Sequence, residues 1–324
     1  MKILVYGCGV IGSYLTHVLC RGGNDVTVCA RGRTKEILEK YGLRIKHKLQ
    51  KKKTIDRPRI IGESDENEHY DIVFSIMQGQ QQTALLPTLA KVSAPLFVLV
   101  GNNLCAADTE REFHRLAGGD KTLLFGLQGT GGVREGNHTI CVRWGNSRLV
   151  CGGLHSLPSA HDTAALRTAF SGTKYGLEFM DDMEGWLYCH AAFILPIVYL
   201  SYKRDCNLRT AAKQEVNDIT AAAKEAYGLI KRVGVKIRPV DDEAYFDSKA
   251  KMTATNLALR AMAKTFVGEL AATDHCRNAV TEMEYIDREF GRLRDDAPDF
   301  KMPVWDRMRA AMPDWEEVHK IYDK

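Results

Sequence analysis

Met1-Lys2-Ile3-Leu4-Val5-Tyr6-Gly7-Cys8-Gly9-Val10-Ile11-Gly12 opens the chain, and its reading decides the fold. The first six residues form an apolar strand. Gly7, Gly9 and Gly12 follow as GxGxxG, and residues 13–21 carry helical spacing. Each glycine has a mechanical task in a strand–turn–helix unit. Gly7 makes the tight turn, Gly9 lets a pyrophosphate approach the backbone, and Gly12 lets the helix pack closely on the sheet. The start of the helix, at Gly9, Val10, Ile11 and Gly12, then offers N–H groups and a positive dipole end to phosphates. The alternative is a merely structural glycine-rich turn.

The second strand is Asp25-Val26-Thr27-Val28-Cys29-Ala30. An Asp or Glu at its end would accept hydrogen bonds from the ribose hydroxyls of NAD. Here the chain reads Ala30-Arg31-Gly32-Arg33. No carboxylate repels a 2′-phosphate, and a guanidinium binds one through paired, charge-assisted hydrogen bonds. NADP(H) is therefore the expected cofactor, with Arg31 the first choice of ligand. A solvated loop charge is the alternative.

Composition sets the outer limits. The 324 residues allow two domains with a real core, and a net charge of +4 gives no overall case for nucleic acid. The densest basic stretch, 46–59, has no interleaved aromatics and reads as a solvated hairpin or loop. Nine cysteines without a CxxC pattern or zinc-type spacing fit free thiols in a reducing cytoplasm, with no metal. The N-terminus is a strand rather than a signal peptide. The longest apolar run, 191–200, is about half a membrane span and contains Pro196. The expectation is a cytoplasmic protein with no membrane segment.

Along the first half, short apolar runs at 3–6, 26–29, 72–76, 96–100 and 123–125 alternate with helical stretches such as 34–41 and 82–92. This rhythm implies a doubly wound, mostly parallel sheet. Residues 126–153 read as antiparallel strands with turns, 156–172 as a helix and 177–180 as a last strand. From about 183 onward helical spacing dominates, at 183–202, 209–234, 241–268, 281–293 and 304–312. The expected organisation is an α/β domain over 1–180 and an all-α domain over 181–324. Ligands are expected in a cleft between them, at the carboxyl ends of the strands.

Several residues are candidates for that cleft. Asn102 follows the apolar run 96–100 and can hydrogen-bond a carboxamide or a substrate oxygen, although Gly101-Asn102-Asn103 is also a turn signal. Gln78 follows the run 72–76 and is placed to meet cofactor or substrate, with a polar loop as the alternative. On a helix Glu282 shares a partly apolar face with Tyr285 and Ile286, as a substrate ligand or as a salt-bridged acid.

Taken together, these residues resemble the ketopantoate reductase family. The resemblance rests on Gly7–Gly12, Arg31 after the second strand, and Asn102 after an apolar strand. It rests also on the Trp-led helix from Trp186 to Pro196 and on Thr281-Glu282-Met283-Glu284-Tyr285-Ile286. It implies an N-terminal Rossmann domain that binds NADPH and a helical C-terminal domain that closes over the substrate. It implies reduction of the ketone of 2-dehydropantoate to pantoate, in the route to coenzyme A. A homodimer through the helical half is compatible with this, although no surface for it is marked in the sequence.

The chain departs from the family at the helix led by Trp186. The family pattern has a lysine two residues after the tryptophan and asparagines one and two turns further on. Those groups would protonate the developing alkoxide and orient a 2-oxo acid. Here the positions are Tyr188, Ala192 and Pro196. Lys203 lies fifteen residues beyond Tyr188, about 22 Å along a continuous helix, and is too far to substitute. Tyr188 is the first choice as acid and His190 the second. The alternative is that Tyr188 packs and His190 is a satisfied interhelical residue. Two functions follow. One is an NADPH-dependent reductase acting on a small, rather apolar oxo compound. The other is an NADP(H)-binding sensor or assembly protein with impaired catalysis.

Overall fold

The computed structural model describes residues 1–323, which divide into two compact units, 1–183 and 184–323. In the first unit β1 (Lys2–Tyr6) lies between two parallel partners, β2 (Asp25–Cys29) and β6 (Ile72–Ile76). Outside β6 follow β7 (Leu96–Val100) and β8 (Thr122–Gln128), also parallel. Outside β2 lies the short β5 (Arg59–Ile61). The other edge is completed by β11 (Arg148–Gly152), antiparallel to β8, and β12 (Gly176–Phe179). The order is β12-β11-β8-β7-β6-β1-β2-β5. Every residue of β6 and β7 is buried. This is the behaviour of central parallel strands covered on both faces, and it explains why they read as unbroken apolar runs.

The sheet is a Rossmann-like doubly wound α/β arrangement. Its helices are α1 (Val10–Arg21), α2 (Gly32–Tyr41), α3 (Gly79–Leu89), α4 (Ala106–Ala117) and α5 (Ala160–Ala169). A second sheet of four strands has the order β4-β3-β10-β9, from β3 (Leu43–His47), β4 (Lys52–Asp56), β9 (Gly131–Glu135) and β10 (His138–Val142). The basic stretch near residue 50 is thus the β3–β4 hairpin, turning at Lys51, which has positive φ.

Helix α1 touches β1 and β2 on one side and β3, β9 and β10 on the other. It is therefore buried without interruption from Gly12 to Leu19. Three of its polar residues find partners inside, as a buried polar group requires. The Thr139 hydroxyl donates to Ser13 Oγ at 3.2 Å, the Tyr14 hydroxyl to the Asn146 carbonyl at 2.8 Å, and His17 Nδ1 meets Asp56 at 2.6 Å.

The second unit is helical. Its elements are α6 (Met183–Lys203), a 3-10 turn (Leu208–Thr210), α7 (Lys213–Arg232), α8 (Ala244–Asp247), α9 (Lys249–Ala263), α10 (Phe266–Gly268), a π-helical turn (Glu269–Thr273), α11 (Asp274–Asn278), α12 (Val280–Arg292), α13 (Pro303–Ala310) and α14 (Trp315–Tyr322). The single helix expected over 241–268 is broken. Ser248 leaves the helical conformation and its hydroxyl caps α9, and Thr265 does the same for α10. Helix α6 is long and apolar enough, by length and composition, to cross a membrane. However, 61% of its most apolar window is buried inside the protein, as in the core helix of a bundle.

Asp287, on α12, ties four helices together. It accepts from Tyr199 on α6, from Arg309 on α13 at 2.9–3.1 Å, and from the indole of Trp315 on α14 at 2.9 Å.

Candidate nucleotide site and a buried histidine–glutamate pair

The parallel register brings the ends of β1, β2, β6 and β7 to one edge of the sheet: Tyr6 opposes Cys29 and Ser75, and Ile76 opposes Val100. The glycine loop is built into this edge. Gly7 has φ +85, and a Cβ there would lie 2.3 Å from the Ile76 carbonyl oxygen. A Cβ on Gly12 would lie 2.0 Å from the Gly7 carbonyl oxygen. Both glycines are fixed by close packing of backbone on backbone. Gly9 differs: a Cβ there would meet nothing within 4 Å. Gly9 is the N-cap of α1, no side chain caps that helix, and its first turn carries no acid. Gly9 thus presents an open face beside the uncapped N–H groups of Val10, Ile11 and Gly12, the polarity that suits an anion.

Arg31 is exposed at the N-cap of α2, with extended backbone. The neighbouring strand end adds groups that the sequence reading missed. Ala30 N–H donates to the Ile61 carbonyl, and the Cys29 thiol contacts the Gly62 carbonyl at 3.5 Å. Exposed Glu63 follows at once. A Cβ on Gly62 would lie 3.4 Å from Lys35 Nζ. Lys35 in turn pairs with Glu39 at 3.8 Å, so this strand end carries charges of both signs. Glu63 is silent in the sequence because it follows an edge strand, β5, of only three residues.

Gln78 is the N-cap of α3, and its side-chain oxygen accepts from Gln80 at 2.7 Å. Fully buried Gln82 donates to the Met77 carbonyl at 3.2 Å and accepts from Asn103 at 3.3 Å. Gly101 lies against this loop, since a Cβ there would sit 2.3 Å from the Met77 carbonyl oxygen. The two asparagines are divided in role. Asn103 is buried, donates to Thr109 at 3.0 Å, and accepts from the Cys105 N–H at 3.1 Å. Asn102 is half-buried and precedes that network. Gly7, Gly9, Val10, Ile11, Gly12, Arg31, Gln78 and Asn102 therefore share one edge of the first unit.

The remaining candidates lie in the second unit. Tyr188 is half-buried on α6, with its ring edge-on to Phe290 at 6.5 Å. His190 stacks on Trp186 at 5.2 Å, and burial pushes its pKa down to about 4. Ala192 and Pro196 are buried. The apolar stripe is therefore packed against protein and does not by itself call for an apolar substrate. Glu282 is 6% exposed and pairs at 3.1 Å with His275 Nε2, a residue that the sequence reading did not single out. Burial alone would lower the His275 pKa, but the hydrogen bond and charge of Glu282 outweigh it and the net shift is upward. His190 feels both the Glu282 and the His275 charge. The unit thus holds two imidazoles shifted in opposite directions beside one buried carboxylate.

Comparison with known proteins bears on this arrangement. Residues 3–155 match the model of the family described as ketopantoate reductase PanE/ApbA. No curated protein sequence matches the chain significantly. Among solved structures, D-mandelate dehydrogenase in a ternary complex with NADH and anilino(oxo)acetate shares the fold at a TM-score of 0.74 and 14% identity, covering 100% of both chains. A PanE/ApbA family ketopantoate reductase from Ralstonia eutropha JMP134 gives 0.72 and 18%, again over 100% of both chains. The 2-dehydropantoate 2-reductase from Methylococcus capsulatus gives 0.67 and 17%, covering 100% of this chain and 98% of its own. At such identities the likeness is one of fold.

Proposed function

We propose that the chain is a nicotinamide-dependent oxidoreductase of the ketopantoate reductase type, that it prefers NADP(H), and that it reduces the ketone of a small oxo compound. The observation that carries this reading is the uncapped, unobstructed turn at Gly9, set at the edge where Arg31, Gln78 and Asn102 also stand. The family match over residues 3–155 supports it. The bound dihydronicotinamide would supply the hydride.

The residues of the chain do the rest. The backbone N–H groups of Val10, Ile11 and Gly12 hold the pyrophosphate, and Arg31 holds the 2′-phosphate. Asn102 and Gln78 orient the nicotinamide end and the substrate carbonyl. Glu282 accepts a hydrogen bond from a substrate hydroxyl while His275 positions it. Tyr188 is the proton donor to the reduced oxygen. His190, neutral at pH 7, is the weaker candidate.

The test mixes the purified chain with NADPH or NADH and a panel of 2-oxo acids, 2-dehydropantoate and aryl 2-oxo acids included, and follows absorbance at 340 nm. The expected result is turnover with NADPH on at least one member. Tight NADPH binding without any turnover supports the sensor reading instead. Arg31→Ala is expected to weaken NADPH roughly tenfold more than NADH. Equal losses refute the 2′-phosphate role.

A further inference from the structure

Arg134 stands on β9, far along the chain from the glycine loop, yet its guanidinium reaches that loop. One terminal nitrogen donates to the Cys8 carbonyl, between Gly7 and Gly9. The other donates to Thr34 Oγ1 at 3.2 Å, in the first turn of α2. Arg134 therefore bridges the two segments that border Arg31.

Its position is fixed from behind. Arg134 pairs with Thr139 across the β9–β10 ladder, and the Thr139 hydroxyl donates to Ser13 on α1. Both groups that Arg134 donates to are neutral oxygens, so neither bond compensates its charge. A half-buried guanidinium with neutral partners gains from an anion nearby. The two bonds use two of its five N–H donors, which leaves the fork able to donate to a phosphate oxygen. Lys35, ion-paired with Glu39 at 3.8 Å, adds a third cation beside Gly62, and exposed Glu63 follows Gly62.

We infer that Arg134 is a specificity-determining residue of the nucleotide site, holding the 2′-phosphate of the cofactor jointly with Arg31. This rests on the reading of the Gly7–Gly12 edge as an NADP(H) site.

The experiment measures dissociation constants of the full-length chain by calorimetry for NADPH, NADH and adenosine 2′,5′-bisphosphate, the last isolating the phosphate from the nicotinamide. The variants are Arg134→Gln, Arg134→Lys and Arg31→Ala. Arg134→Gln is expected to weaken NADPH and the bisphosphate roughly tenfold and NADH less than about threefold, with Arg134→Lys in between. The readout is a ratio of ligands on one preparation, so a partial loss of folded protein does not imitate it. Equal losses for NADPH and NADH, or unchanged ratios in Arg134→Gln, overturn the inference. Unchanged ratios in Arg134→Gln with a clear loss in Arg31→Ala overturn it while leaving the NADP(H) reading in place. A wild-type chain that binds none of the three ligands overturns the reading itself.

Discussion

His275 Nε2 lies 3.1 Å from a carboxylate oxygen of Glu282, although seven residues on an unbroken helix would be about 10.5 Å apart along its axis. The contact exists because the helix is interrupted. Ala279, with φ −141 and ψ 41, separates α11 from α12, and the break folds His275 back towards Glu282. The buried carboxylate is thereby paired with an imidazole whose pKa it raises.

The pair should be visible in a titration. His275 is expected to titrate above the free value of about 6.5, and Glu282→Gln should lower its pKa. The pair's contribution to stability is full below about pH 6.5 and is lost as pH rises through the raised pKa. Imidazole Cε1–H shifts, assigned with His275→Gln, check this. A His275 curve that Glu282→Gln leaves in place would refute the pairing.

His190 should behave in the opposite way. With a folded pKa of about 4, it stays neutral through pH 7 to 5, whereas the unfolded chain takes up a proton near pH 6.5. Its contribution to stability is therefore full above about pH 6.5 and declines as pH falls towards 4. Urea midpoints measured between pH 7 and 4.5 should drop less steeply in His190→Gln than in the wild type. Identical slopes would show that His190 is protonated in the fold.

The three glycines should separate stability from binding. Gly12→Ala forces a methyl to within 2.0 Å of a backbone oxygen. The expected cost is about 2 kcal/mol, read as a lower melting temperature. Gly9→Ala meets no protein atom and should melt within a degree or two of wild type while losing NADPH affinity roughly tenfold or more. NADPH affinity retained in Gly9→Ala would rule out a pyrophosphate at that face.

Asp287→Ala should be the most damaging of these substitutions to the helical unit. It leaves the Tyr199 hydroxyl and the Trp315 indole without their acceptor and Arg309 without its carboxylate. Because Arg309 is half-exposed, its charge can turn to solvent and the buried donors dominate. The expected loss is roughly 3 kcal/mol by urea denaturation. A loss under about 1 kcal/mol would mean that water replaces the network.

The parts of the fold that were legible in the sequence are those with short-range causes. Strands buried on both faces gave continuous apolar runs at β6 and β7, and α6 announced itself by length. Helices α4 and α14 carry little apolar signal, with only Ala106, Thr109 and Phe113 buried on the first and Val318 on the second. The small sheet was legible only as hairpins, because β10 pairs with β3 in parallel across most of the first unit's sequence.

The Gly7–Gly12 edge was legible in the sequence because the strand, the glycines and the helix start are adjacent. The φ of Gly7 and the close approach at Gly12 follow from neighbours a few residues away. Arg31 stands at the same edge for a like reason, at the end of the next strand. What surrounds them was decided by tertiary packing. The small sheet covers α1 and carries Arg134 to the Cys8 carbonyl. The three-residue β5 sets Glu63 near Arg31, and the break at Ala279 turns His275 onto Glu282. A backbone turn is selected by local sterics, whereas a charge beside a ligand site is selected by which distant segment is packed there. No spacing along the chain encodes that second choice.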